Sequence, residues 1–358
     1  MSYTTIDDPS AYFQTTLYSG TGSQQSITNG GNSDLQPDWL WIKERDGTSS
    51  HQIMDAVRLY YNRIESNNDS AQLDAGQTGA TNQNVTSFDS DGFGVKNGGA
   101  VNESGKTYVA WQWKAGTALN NSAGANGGSI ATTGSINTTS GFGIVKHEGS
   151  GANATIYHGL RKIPRMIITK NIDQTFHWSV YTFHSNTKIL RLNGTNAEAT
   201  ETAFQSTHPT ATVQSLGDHN QNNGATDGSS DTHISYMFCD VQGFSKIGSY
   251  TGNSNADGEF IYTGFEPAFV MTKSTASTSN WEIKDNKRLG YNVIDTYIKA
   301  NANAAEDTGV DSHAMDFLSN GFKHRGNNDE VNGTESYIYM AFAKSPFVTS
   351  GGVPNTAK

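Results

Sequence analysis

Three stretches decide the fold: Pro37-Asp-Trp-Leu-Trp-Ile-Lys43, Pro164-Arg-Met-Ile-Ile-Thr-Lys170 and Pro267-Ala-Phe-Val-Met-Thr-Lys273. Each is a proline, a large apolar residue two positions on, two more apolar residues, and a lysine six positions after the proline. Other landmarks keep step with them. A phenylalanine precedes each proline (Phe13, Phe142, Phe244), and His51, Trp178 and Trp281 each stand eight residues after the lysine. A closing stretch begins at Tyr108, His233 and Tyr337, which lie 71, 69 and 70 residues after the prolines. Copies 1 and 3 also share Phe88-Asp-Ser-Asp-Gly-Phe93 and Phe317-Leu-Ser-Asn-Gly-Phe322. Internal repetition of this kind takes precedence over any local reading.

The period within a copy is two, the signature of strands. Val109, Trp111 and Trp113 share one face, as do Ile234, Tyr236 and Phe238, and Ile338, Met340 and Phe342. The opposite face carries Tyr108, Ala110 and Gln112, then His233, Ser235 and Met237, then Tyr337, Tyr339 and Ala341. The expected fold is all-β: three tandem antiparallel β-sandwich units of jelly-roll or lectin-like type. The units run 13–115, 141–243 and 244–346, with an arm at 1–12 and a tail at 347–358. Residues 116–140, rich in Gly, Asn, Ser and Ala, read as a flexible linker on which unit 1 swings. Units 2 and 3 abut without a linker.

Composition narrows the function. The 358 residues include 38 glycines and 7 prolines, with 10% aromatic and 16% charged residues; an average soluble chain has roughly 25% charged residues. A formal charge of −10 disfavours nucleic acid and anionic membranes as partners. No stretch approaches 18 apolar residues, so no membrane insertion is expected. Cys239 is the only cysteine, which excludes disulfides and a thiolate zinc cluster. The opening residues do not read as a signal peptide.

The motifs that suggest chemistry read as structural. Gly105-Lys106-Thr107 sits before a strand, where a phosphate loop would open a helix. Asp89 and Asp91 lack the spacing of a calcium loop, and copy 3 has Leu318 and Asn320 in their place. Seven of ten histidines fall in unit 2 without a His-Glu-x-x-His pattern. There is no Gly-x-Ser-x-Gly, and the adjacent pairs His147-Glu148 and Asp329-Glu330 have no counterpart across copies. The expectation is no enzyme, no cofactor, no catalytic residue and no metal site.

Asp8-Pro-Ser-Ala-Tyr-Phe-Gln-Thr, Phe88-Asp-Ser-Asp-Gly-Phe93, Tyr108-Val-Ala-Trp-Gln-Trp-Lys-Ala-Gly and Val241-Gln-Gly-Phe-Ser-Lys-Ile-Gly resemble a repeated domain in virion proteins of marine tailed bacteriophages. The resemblance covers nearly the whole chain. It implies a virion structural protein, made in the host cytoplasm, with other virion proteins as partners. Three functions follow: a tail- or fibre-associated host-attachment module, a capsid or tail decoration protein without receptor binding, and a glycan-cleaving tail enzyme. The first is preferred. Tyr108, Tyr337 and Tyr339, on the half-polar face, are the candidate interface of a homo-oligomer, expected to be a trimer. In unit 2 the polar stretch 216–231 offers Asp218, His219, Asp227 and Asp231 as a candidate loop for a host surface glycan or protein. The plain alternative is a solvated variable loop.

Overall fold

The computed structural model describes residues 2–74, 85–226 and 229–356 and is all-β, with helix limited to single turns among the described residues. Each unit is built on the same sheet. In unit 1 the order is the opening strand Phe13–Ser19, the closing strand Thr107–Trp113, the proline strand Trp39–Glu44, then Gln52–Asp55 and Leu59–Ile64. Unit 2 repeats it with Phe142–Glu148, Thr232–Cys239, Pro164–Asn171, Ser179–Thr182 and Ser185–Arg191. Unit 3 does so with Ser245–Thr251, Ser336–Pro346, Phe265–Ser274, Glu282–Asp285 and Ile298–Lys299. Register agrees residue for residue: Trp41 pairs with Trp111, Ile168 with Tyr236 and Met271 with Met340.

A smaller sheet covers one face of each large one. It has three strands in units 1 and 3 and two (Ala154–Tyr157, Val213–Leu216) in unit 2. The turn at Asp91-Gly92 requires glycine: its φ is +115°, and a Cβ there would meet the Ile27 carbonyl oxygen at 1.9 Å. Between the two sheets lies a private apolar cluster, including Leu40, Ile42 and Phe93 in unit 1 and Val270, Phe322 and Tyr339 in unit 3.

The other face of each large sheet meets the other two units. One apolar cluster draws on all three, from Trp39, Trp111 and Trp113 through Trp178, Tyr236 and Phe238 to Trp281, Met340 and Phe342. At its centre three equivalent residues of the closing strands form a triangle. Phe342 lies 5.5 Å from Trp113 and 5.9 Å from Phe238, and those two are 6.4 Å apart, centroid to centroid.

Hydrogen bonds close the same cycle. Trp178 Nε1 donates to the Glu65 carbonyl of unit 1 (3.0 Å), and Trp281 Nε1 to the Arg191 carbonyl of unit 2 (2.9 Å). In unit 1 the place of the tryptophan is taken by His51. Trp41 Nε1 donates to His51 Nδ1 (2.8 Å), so the ring carries its proton on Nε2, which donates to the Lys299 carbonyl of unit 3 (3.0 Å). Glu65, Arg191 and Lys299 are equivalent positions, and Asn67, Asn193 and Asn301, two residues on, each accept from the backbone N–H of His51, Trp178 or Trp281. The three units therefore form a closed ring with pseudo-threefold symmetry inside one chain.

A second set of contacts breaks that symmetry in a matched way. Tyr236 OH donates to Asp55 Oδ2 (2.7 Å) and Trp111 Nε1 to Asp285 Oδ2 (3.1 Å), each carboxylate also holding an arginine three residues on (Arg58, Arg288). At the third junction both partners change together: Met340 replaces the donor, and Thr182 replaces the aspartate.

The repeated lysines are buried. The Nζ of Lys43, Lys170 and Lys273 each donates to the carbonyl of the next residue at 2.6 Å and to that of the fourth residue on. They tie down the loop leaving the proline strand, and burial lowers each pKa to about 8.

Two expectations need correction. Tyr108, Tyr337 and Tyr339 do not face another subunit: they are buried between the two sheets of their own units. Tyr108 stacks on Tyr18 and Tyr337 on Tyr250, and the hydroxyls of Tyr108 and Tyr337 hold the short turns Gly99–Asn102 and Asp329–Asn332. The face read as half-polar is each unit's own interior. Residues 116–140 are not a flexible linker either. Thr117–Asn121 and Thr132–Asn137 extend the large sheet of unit 2, with Leu119 and Ile136 in its apolar cluster. Unit 1, sharing the central core, has no freedom to swing.

Candidate functional site

The unit 2 loop leaves the strand Val213–Leu216 and returns into the closing strand at Thr232. It replaces the one-turn helices of units 1 and 3, and its anchor is common to all three. Asn102, Asn223 and Asn332 are fully buried, and each donates to backbone carbonyls of a neighbouring loop, Asn223 to Ala152 at 2.6 Å. Where units 1 and 3 stack tyrosines across opening and closing strands, unit 2 stacks His147 on His233 at 5.1 Å. His147 and His233 hydrogen-bond the carbonyls of Asn222 and Asn220. Burial lowers the His147 pKa to about 3, and it also lowers that of His233. Both rings are structural pins.

The structure divides the candidate loop residues. Asp218 is exposed, and beside it the half-buried His219 places Nε2 3.0 Å from Glu201, which lies 3.6 Å from Arg191. Asp231 does not belong with them. It is buried and accepts from Thr226 Oγ1 (2.6 Å) and Asn171 Nδ2 (3.0 Å). Burial works to raise its pKa, but these hydrogen bonds prevail and lower it. Asp231 is corrected from a gripping residue to a pin that closes the loop. Asp227 lies outside the described residues. The loop thus presents Asp218 and His219 beside Glu201 of the neighbouring segment, a polar set suited to hydroxyls.

A second cluster, in unit 3, escaped the reading by motif. Glu282 Oε1 accepts from His313 Nδ1 at 2.6 Å, and Asn280 donates to Glu330 Oε1 at 2.8 Å. One ligand atom from each of Glu282, His313 and Glu330 lies within 4.8 Å of the others. The His313 ring stacks on Tyr297 at 4.5 Å. Glu282 Oε2 accepts no hydrogen bond and faces Lys284 Nζ at 3.5 Å, which itself donates none. His324, fully buried, has neither ring nitrogen hydrogen-bonded. Burial lowers the Lys284 pKa to about 8, and burial together with the Lys284 charge lowers that of His324 to about 3.

Register shows how unusual this is. Asp285 corresponds to Asp55, Phe322 to Phe93 and Asn332 to Asn102, so Glu282, Lys284, His324 and Glu330 occupy the positions of Gln52, Met54, Val95 and Ala100. At these four positions unit 1 builds its sandwich without a charged residue. Aligning copies 1 and 3 position by position carries that signal; searching for contiguous motifs does not.

Residues 8–346 match the model of the family described as Domain of unknown function (DUF7483), and the chain belongs to that family. No curated protein and no solved structure matches it.

Proposed function

We propose that the chain is a structural protein of a tailed-bacteriophage virion, serving as a host-attachment module of the tail or a fibre. The observation that carries this reading is the closed ring of three units around one aromatic core. Such a block is rigid and presents three sets of loops, and it suits a position where a particle's symmetry needs a threefold-like element. The motifs resembling marine phage virion proteins point the same way. In this reading the protein builds and binds rather than catalyses: the buried His147 and His233 and the buried Lys43 and Lys170 are committed to holding loops. Its contacts with other virion proteins or further copies use exposed surfaces, not Tyr108, Tyr337 and Tyr339.

The experiment is mass spectrometry and cryo-EM of the purified particle, combined with adsorption of particles carrying Asp218→Ala and His219→Ala. Attachment predicts density at the tail or a fibre and slower adsorption by intact variant particles. Intact particles with unchanged adsorption favour the decoration role. Absence of the chain from particles overturns the reading.

A further inference from the structure

We propose that Glu282, His313 and Glu330 form a binding site for one divalent transition-metal ion of the Zn2+ type, set between the two sheets of unit 3. The donor set is one imidazole nitrogen and two carboxylate oxygens, a combination suited to zinc and its neighbours rather than to calcium, which takes six to eight oxygens. The three ligands come from separate segments: the strand Glu282–Asp285, the 3-10 turn Asp311–His313 and the helical turn Asp329–Asn332. Their ligand atoms already lie within 4.8 Å of one another. Tetrahedral coordination at about 2.0–2.1 Å needs separations of about 3.3 Å, so small side-chain rotations complete the site. Glu330 is only half-buried and marks the side open to water.

Two further observations point to a cation. The first is Glu282 Oε2, a carboxylate oxygen inside the sandwich that accepts no hydrogen bond and whose side chain is 0% exposed. An oxygen in that state needs a positive charge beside it, and in this structure Lys284 Nζ meets it only as an ion pair at 3.5 Å. The second is the comparison with unit 1, where Gln52, Met54 and Ala100 serve the same fold. Packing does not require the charges. Lys284 Nζ, 3.5 Å from Glu282 Oε2, is the competing cation when no metal is bound. Bound metal would cross-link three segments of unit 3, in place of the apolar contacts that unit 1 uses there. This inference does not rest on the attachment reading.

The test is titration of chelator-treated full-length protein with ZnCl2 by calorimetry, alongside thermal melts and the visible spectrum with Co2+. The expected result is one equivalent bound per chain, a raised melting temperature, and Co2+ bands that Zn2+ displaces. His313→Gln and Glu330→Gln should each weaken binding tenfold or more. Lys284→Met installs the unit 1 residue and removes the competing charge, and it should tighten binding by a similar factor. His184→Gln, at the exposed pair with Glu198, should leave Zn2+ binding unchanged. If the two ligand variants fail to fold, the Co2+ bands of the wild type and the Lys284→Met effect still decide. No one-equivalent binding by the wild type, or binding lost with His184→Gln instead, overturns the proposal.

Discussion

Phe342→Ala tests whether three units share one core or merely touch. The ring sits at the pseudo-threefold centre, in contact with Phe13 and Trp113 of unit 1, Phe238 of unit 2, and Phe244 and Phe269 of unit 3. It is 1% exposed. Truncating a buried phenylalanine costs about 3–5 kcal/mol, transfer and cavity together. The resulting shift in Tm depends on how much chain unfolds with it. With about 2.1 cal/mol/K of unfolding entropy per residue, 4 kcal/mol lowers Tm by about 5 °C if all three units melt as one. If unit 3 melted alone, the same loss would lower its own transition by about 18 °C and leave the others in place. Differential scanning calorimetry separates the two outcomes. The shared core requires a single peak before and after, with equal calorimetric and van't Hoff enthalpies and a shift near the smaller figure. A separate, strongly shifted transition for one unit would refute the shared core.

Three other perturbations have distinct expected results. Asp55→Ala leaves the buried Arg58 guanidinium without its carboxylate and should cost about 3–5 kcal/mol, whereas Thr182→Val at the equivalent position loses only the Thr182 Oγ1–His184 Nδ1 hydrogen bond and should cost about 0.5–1.5 kcal/mol; urea midpoints compare them. Lys273→Met removes donors from the carbonyls of Ser274 and Ser277 and from Ser279 Oγ, and should cost about 1–3 kcal/mol and speed proteolysis at that loop. Acid should destabilise the fold: burial lowers the pKa values of His51, His147 and His324 to about 3 and that of His158 to about 4, against about 6.5 unfolded. The unfolded chain then binds more protons in that window, so stability is held above pH 6.5 and lost as pH falls towards 4, at up to about 1.4 kcal/mol per histidine per pH unit. A urea midpoint unchanged between pH 7 and pH 5 would contradict this.

The division into three units was legible because the prolines, lysines and closing strands hold loops and register that every copy needs. What the pattern could not convey was which face meets what. Alternation implies one buried and one wetter face, but here both are buried. Gln112, on the supposedly outer face, is sealed in by Thr16 and Asn29, and Ser235 by Thr169. Polar residues in closed hydrogen-bonded sets look like solvent-facing ones in a one-dimensional pattern. Residues 116–140 misled for a related reason: strands whose few apolar anchors are Leu119 and Ile136 have the composition of a linker.

The candidate sites show the same limit from the other side. Asp218, His219 and Asp231 looked alike in sequence because each is a polar residue in a polar loop, yet Asp231 is aimed inward by Thr226 and Asn171. The charged interior of unit 3 was invisible to motif searching because its ligands are spread over some fifty residues and meet only when two sheets close. Repetition is what makes it interpretable. Three copies of one fold act as internal controls: a feature present in all, such as the buried asparagines, serves the fold. A matched exchange, such as Met340 with Thr182, preserves a junction. The set Glu282, Lys284, His324 and Glu330 is neither, since unit 1 has Gln52, Met54, Val95 and Ala100 at the corresponding positions. A charged group standing where its counterpart has a methyl group calls for a partner, and Glu282 Oε2, which accepts no hydrogen bond and meets only the Lys284 ion pair, is where that partner must be positive.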